Sequence, residues 1–180
     1  MRCFIAVKPS LDICKKAYDL GKQFENIMHS IAVKPENMHI TLFFLGEQND
    51  TDVDIISEMI EKLDFNSFYL TFNRLDFFGN IKYPKVLFVK GHSNALKQIH
   101  KDLSDMLGQK EISFDKKPFN IHLTLRRIKK LYDKEAFLKI LKEINNNFKT
   151  MQTLVNSVEL IKSELNPGGA VYKTIFSKRA

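Results

Sequence analysis

The sequence predicts an α+β fold of two pseudo-symmetric lobes, whose largely antiparallel sheets face a central cleft with helices packed outside. Three observations predict it. Strand-like and helix-like segments alternate without a linker, hairpin signals recur along the chain, and one segment returns in the second half. At 180 residues and 21.0 kDa the chain fits a single domain, residues 1–180, built from two similar lobes.

Taken in order, residues 3–7 read as a first strand, too short for the roughly 7–15-residue apolar core of a signal peptide. From Leu11 to Ile27, apolar residues at Leu11, Cys14, Tyr18, Leu20 and Phe24 predict an amphipathic helix. Residues 37–45 alternate as a strand closed by Gly46. Asp50 or Thr51 caps a helix through about Leu63, with Val53, Ile56, Met59, Ile60 and Leu63 on its apolar face. Residues 68–78 and 85–90 are β-rich and separated by the turn-like Gly79-Asn80 and Tyr83-Pro84. Leu96, Ile99, Leu103 and Met106 follow the helical period over 93–107. Residues 120–128 repeat the strand pattern, and Asp133 opens a helix to about Phe148. Residues 153–165 and 170–176 then close as a hairpin across Asn166-Pro167-Gly168-Gly169. Fifteen Phe and no Trp suggest a core closed largely by phenylalanine.

Composition narrows the function classes. No apolar run approaches the roughly 18 residues of a membrane span. Cys3 and Cys14 are the only cysteines and lack metal-type spacing, which argues against a disulfide framework and for a reducing, cytoplasmic setting. Lys and Arg total 28 against 21 Asp and Glu, a net charge of +7. Such an excess suits polyanions such as nucleic acid, and equally a lysine-rich solvated surface. The absence of a Walker-type loop or dinucleotide fingerprint argues against ATP-driven chemistry.

The repeat carries the chemistry. Pro35-Glu36-Asn37-Met38-His39-Ile40-Thr41-Leu42-Phe43-Phe44 aligns without a gap to Pro118-Phe119-Asn120-Ile121-His122-Leu123-Thr124-Leu125-Arg126-Arg127, at an offset of 122 − 39 = 83 residues. Five His and seven Thr in the whole chain make two chance His-x-Thr triplets in like contexts improbable. In a strand, side chains at i, i+2 and i+4 share a face. Asn37, His39 and Thr41 therefore lie together, as do Asn120, His122 and Thr124, over apolar residues beneath. A lone strand histidine is more often structural than catalytic; a matched pair across a cleft can divide general acid and general base work near neutral pH. The threonines offer neutral donors to phosphate oxygens, and the arginines after the second copy offer charge-assisted ones.

The paired His-x-Thr-x motifs, with Pro-x-Asn-x-His-Ile-Thr-Leu-Phe-Phe-Leu-Gly at 35–46, resemble the 2H phosphoesterase superfamily. Within it the chain looks like the RNA 2′,3′-cyclic phosphodiesterase family, also called 2′-5′ RNA ligases. The similarity extends to the N-terminal Arg-x-Phe-Ile-Ala-Val, Phe-Phe-Gly at 77–79, Pro84-Lys85-Val86-Leu87, Ser163-x-Leu165, Gly169 and Tyr172. The resemblance implies a terminal 2′,3′-cyclic phosphate opened to a 2′-phosphate, with 2′-5′ joining as the reverse reaction. By position, His39 would be the proton donor and His122 the proton acceptor, while Thr41 and Thr124 would hold the phosphate. The family's arginine five residues after the second histidine is Arg127 here. Strict alternation instead puts Arg126 on the His122 face, and a bulge would reconcile the two.

The expected partner is RNA with a 2′,3′-cyclic phosphate end, tRNA fragments among the candidates. No cofactor, no metal, no membrane and no protein partner are expected, and the chain is expected to be a monomer. Within the same superfamily, cleavage of 2′-5′ oligonucleotides or trimming of RNA 3′ ends is the alternative. A non-catalytic RNA-binding module is the alternative of another class. His29 and His92 read as loop or helix-end residues and His100 as a solvated helix position; Lys97 and Lys101, one turn apart, read as an exposed face able to touch RNA.

Overall fold

The computed structural model describes residues 1–166 and 169–180. The first half holds β1 (Arg2–Val7), α1 (Leu11–Lys22), β2 (Met28–Ala32), β3 (Ile40–Glu47), α2 (Asp50–Glu61), β4 (Phe68–Asn80) and β5 (Tyr83–His92). The second holds α3 (Asn94–Gln109), β6 (His122–Leu131), α4 (Lys134–Asn146), β7 (Met151–Val155), β8 (Ser157–Asn166) and β9 (Gly169–Arg179). The strands form two sheets, β3-β1-β8-β9 and β2-β6-β5-β4-β7, with every neighbouring pair antiparallel. The α+β class holds, and each sheet carries one copy of the repeat: β3 the first, β6 the second. The sheets do not follow the halves of the chain. The β4–β5 hairpin lies beside the second copy, and the β8–β9 hairpin lies in the sheet of the first.

Helix starts follow capping chemistry. Ser10, Asn49, Ser93 and Asp133 each accept a hydrogen bond from the backbone N–H three residues on, satisfying a donor the helix cannot. The cap of α2 is thus Asn49, one residue before the expected Asp50 or Thr51. The helix expected to reach Ile27 stops at Lys22, where the chain drops Phe24 into the core against Phe137 and then runs on as β2. β2 completes its backbone hydrogen bonds with β6, about a hundred residues away, so no local pattern announces it. His29 accordingly lies on a strand rather than in a loop or helix end, and His92 is the last residue of β5. The segment expected as one strand over 153–165 breaks at Asn156, β7 joining β4 and β8 joining β1. The expected turn at 166–169 falls partly outside the described residues, although Asn166 and Gly169 pair across it.

The largest fully buried side chains are Phe24, Phe72 and Phe137 beside Ile and Leu residues such as Ile5, Ile40, Leu75 and Leu103. The core is therefore mainly aliphatic, contrary to the expectation from composition. Three of the remaining phenylalanines, Phe4, Phe78 and Phe88, lie against the repeated histidines instead. Among the described residues, no helix is long and apolar enough to cross a membrane.

One close approach fixes the second copy of the repeat. Gly91 in β5 donates its N–H to the Ile121 carbonyl at 2.8 Å, and a Cβ placed on it would lie 2.6 Å from Ile121 Cγ2 and 3.2 Å from the Phe72 ring. Gly91→Ala should therefore cost about 1–3 kcal/mol, the usual penalty of overpacking a filled core. An unchanged urea midpoint and slope would contradict this packing.

Candidate active site

The two histidines are built the same way. The Asn37 carbonyl accepts a hydrogen bond from His39 Nδ1 at 2.8 Å, and the Asn120 carbonyl accepts one from His122 Nδ1 at 2.7 Å. A carbonyl can only accept, so each Nδ1 carries its hydrogen and, in the neutral ring, each Nε2 is left as the acceptor nitrogen. This geometry departs from the strand pattern expected for 37–45 and 120–128. Pro35 opens a 3-10 turn over Pro35–Asn37, β3 begins only at Ile40, and β6 begins at His122. The asparagines contribute backbone carbonyls, which the imidazoles take up.

Each imidazole also rests on aromatic rings. His39 lies 4.7 Å from Phe4 and 5.2 Å from Tyr172, the latter edge-on. His122 lies 4.9 Å from Phe78 and 5.4 Å from Phe88. None of these rings stands out as a functional residue in the sequence. They come from β1, β9, β4 and β5, and only the tertiary pairing of strands brings them under the motifs.

The same irregularity follows both motifs. β1 pairs Ala6 with Thr41 and Ile5 with Phe43, leaving Leu42 without an opposite residue. β5 pairs Phe88 with Thr124 and Leu87 with Arg126, leaving Leu125 without one. Leu42 and Leu125 are equivalent in the repeat, so one bulge occurs twice. An extra residue reverses the alternation. Leu42 and Phe43 are both buried while Phe44 is exposed; Leu125 and Arg126 are both buried while Arg127 is exposed.

The bulge separates the two arginines. Arg126 turns away from His122, donating from Nε to Ser30 Oγ at 2.7 Å and from Nη1 to the Gly21 carbonyl at 3.4 Å, with Glu25 3.8 Å away. The strict alternation that placed Arg126 on the His122 face is corrected accordingly. Arg127 remains near both motifs, for its positive charge acts on His39 and on His122 alike. Its equivalent in the first copy is Phe44, so the repeat supplies one cation to two histidines.

Both imidazoles are shifted toward the neutral form. Burial pushes the His39 pKa down to about 4, aided by the charges of Arg127, Lys8 and His122 and opposed by the hydrogen bond to Asn37. His122 is lowered by burial and by Arg127, against its hydrogen bond to Asn120. That His122 acts on His39 places both motifs within Coulombic range of each other. The shift of His39 has a consequence for stability. Between pH 6.5 and about 4 the unfolded chain binds a proton at His39 that the folded chain refuses. This contribution is present above pH 6.5 and lost as pH falls, at about 1.4 kcal/mol per pH unit. His39→Gln should flatten the fall of the urea midpoint across that window; an unaltered slope would mean that His39 is not held neutral.

The other histidines differ. His100 is not solvated but stacked between Phe43 at 4.3 Å and Phe119 at 4.1 Å, with interplanar angles of 7° and 4°. This triple stack joins β3, α3 and the segment before β6, linking the strand after one motif to the segment before the other. Lys97 and Lys101 are exposed as expected. Thr41 and Thr124 are partly buried two residues after their histidines. Among the described residues, no group of three or more His, Cys, Asp or Glu is placed to hold a metal ion.

The chain has clear relatives. It is 30% identical over 177 residues to a protein of Archaeoglobus fulgidus named RNA 2′,3′-cyclic phosphodiesterase, covering 97% of this chain and 98% of that one. It is 29% identical over 180 residues to a Thermotoga maritima protein of the same name, covering 98% and 94%. Its fold matches a crystal structure from Thermus thermophilus with a TM-score of 0.83 at 21% identity, covering 99% and 97% of the two chains. It also matches that of E. coli LigT complexed with 3′-AMP, with a TM-score of 0.77 at 18% identity and coverage of 99% and 97%. The model of the 2′-5′ RNA ligase superfamily matches residues 28–167, a span that takes in both motifs and the strands bearing them, and the chain belongs to that superfamily.

Proposed function

We propose that the protein is an RNA 2′,3′-cyclic phosphodiesterase that opens terminal cyclic phosphates to 2′-phosphomonoesters with His39 and His122 as its acid–base pair. The observation that carries this reading is the duplicated imidazole geometry, each Nδ1 tied to a backbone carbonyl and each Nε2 left to exchange a proton, with Arg127 acting on both. The two sheets are read as the two lobes of one domain, each lobe contributing one motif. The activity for which the relatives from A. fulgidus and T. maritima are named supports the same substrate class.

In this mechanism neutral His122 Nε2 takes a proton from water as the oxygen attacks phosphorus. The bond from phosphorus to the ribose 3′-oxygen breaks, and protonated His39 Nε2 gives its proton to that oxygen. The product is a 2′-phosphate beside a free 3′-hydroxyl. Thr41 and Thr124 hydroxyls donate to the nonbridging oxygens, and the Arg127 guanidinium offsets the charge that grows on them. A 5′-hydroxyl in place of water would give a 2′-5′ linkage, which accounts for reversible joining.

The free site resists the second proton, and this shapes the pH response. His39 must be charged in the mechanism although burial lowers its pKa to about 4. An anionic phosphate beside Arg127 offsets the positive charges acting on His39 and favours its imidazolium form. The profile of kcat/KM reports the free enzyme, so its bell should peak below pH 6.5, because both histidines are lowered from that value. The profile of kcat should peak at higher pH. A kcat/KM optimum on the alkaline side of 7 would contradict the lowered pair.

The decisive assay incubates the protein, without metal or ATP, with an RNA ending in a 2′,3′-cyclic phosphate. A 2′-phosphate product supports the reading; a 3′-phosphate, or binding without turnover, overturns it.

A further inference from the structure

A cleft of about 330 Å³ opens beside His122 and takes no part in the chemistry above. Phe78 and Phe88, the rings on which His122 rests, also line it, as do Asn120 and Ile121 just before that histidine, so the cleft adjoins the second motif. Phe119 lines it as well. Lys90, near the end of β5, and Lys97, in the first turn of α3, complete it with exposed ammonium groups. Among the described residues neither lysine forms an ion pair. The carboxylate in the lining, Asp76, is already engaged: it lies 3.6 Å from Arg74 and accepts the Phe77 N–H at 2.9 Å. The cleft thus combines unneutralised positive charge with aromatic faces. Single-stranded nucleic acid is bound by this combination, cations tracking the phosphates while bases lie on rings.

We propose that this cleft is a second nucleotide subsite, which holds the nucleotide preceding the cyclic end. Its phosphodiester lies between Lys90 and Lys97, and its base lies against the aromatic wall. The inference rests on the functional reading above only for the position of the reacting phosphate. Its consequence is selectivity for the end of a polymer over a free cyclic mononucleotide.

The test compares a dinucleotide ending in a 2′,3′-cyclic phosphate with the corresponding mononucleoside 2′,3′-cyclic phosphate. The wild type should favour the dinucleotide in kcat/KM, and Lys90→Ala with Lys97→Ala should reduce that preference about tenfold. The salt dependence of the dinucleotide's log(1/KM) should flatten by about 0.7, the value for one single-strand phosphate contact. Lys90→Arg with Lys97→Arg should restore the preference. Equal treatment of both substrates by the wild type overturns the subsite, as does a loss falling equally on both substrates in the alanine variant. If neither substrate is opened, the functional reading fails. Anisotropy of a fluorescent dinucleotide 2′-phosphate then decides the subsite: weaker binding by the alanine variant supports it, and equal binding overturns it.

Discussion

Replacing His39 or His122 by alanine should lower turnover of a cyclic-phosphate RNA by about 10²–10⁴-fold, the scale of a positioned general acid or base. RNA affinity should change little, because lysine–phosphate contacts elsewhere on a +7 chain supply much of it. The double variant should be little worse than either single one, since the two imidazoles act on one proton circuit. Single-turnover rates together with direct binding of an unreactive 2′-phosphate RNA separate the two quantities. Parallel loss of binding and turnover in each variant would favour a non-catalytic RNA-binding module.

The next largest effect is expected from Arg127, and it should separate cleanly from that of its neighbour. Arg127→Ala removes the cation that acts on both histidines and should lower kcat/KM by about 10²–10³-fold, the usual loss when a donor to developing charge is removed. Its melting temperature should barely move, because the side chain is exposed. Arg126→Ala should do the reverse. It strips a buried guanidinium from Ser30 and the Gly21 carbonyl, at a cost of about 1–3 kcal/mol in stability. Activity per folded molecule should survive. Loss of activity at full stability in the Arg126 variant would mean that the bulge at Leu125 does not set the division of roles.

The motifs are legible in the sequence because their information is local. An ungapped repeat with matched polar and apolar positions identifies both histidines, and helix periodicity locates all four helices to within a few residues of one end or the other. The bulges are legible only in part. The conflict between strict alternation and the resemblance at Arg126 and Arg127 signals one at Leu125, but nothing in the first copy signals its counterpart at Leu42. β2 escapes a sequence reading because an edge strand of five residues depends on a distant partner for its definition. Of the aromatic seats, Phe4, Phe78 and Tyr172 stand in segments that carry the resemblance, but nothing local marks their place under the histidines, and Phe88 escapes a sequence reading for the same reason as β2. His100 is different, since the chain does carry a readable signal there. Four residues after Leu96 and three before Leu103, it falls on the apolar stripe of its own helix, which is where the structure stacks it.

The exchange of hairpins between the sheets governs how this molecule can be assembled. β1 holds β3 on one side and β8 on the other, and β8 is made more than a hundred residues later. During synthesis the strand that follows His39 therefore waits beside an open edge of β1 until β8 and β9 emerge. The opposite sheet is spared this delay for β5, which has β4 on one side and meets β6 on the other soon after it is made, but β4 waits for β7 and the edge strand β2 must also be retained from early in the chain. A fragment cut after β5 leaves the first copy without the hairpin that shelters it and the second without the hairpin that seats His122. Contacts of such long range make folding slow for a chain of this size and strongly cooperative once begun. The aromatic seat of His122 is thus available by the time β6 is made, whereas that of His39 is complete only when nearly the whole chain is present.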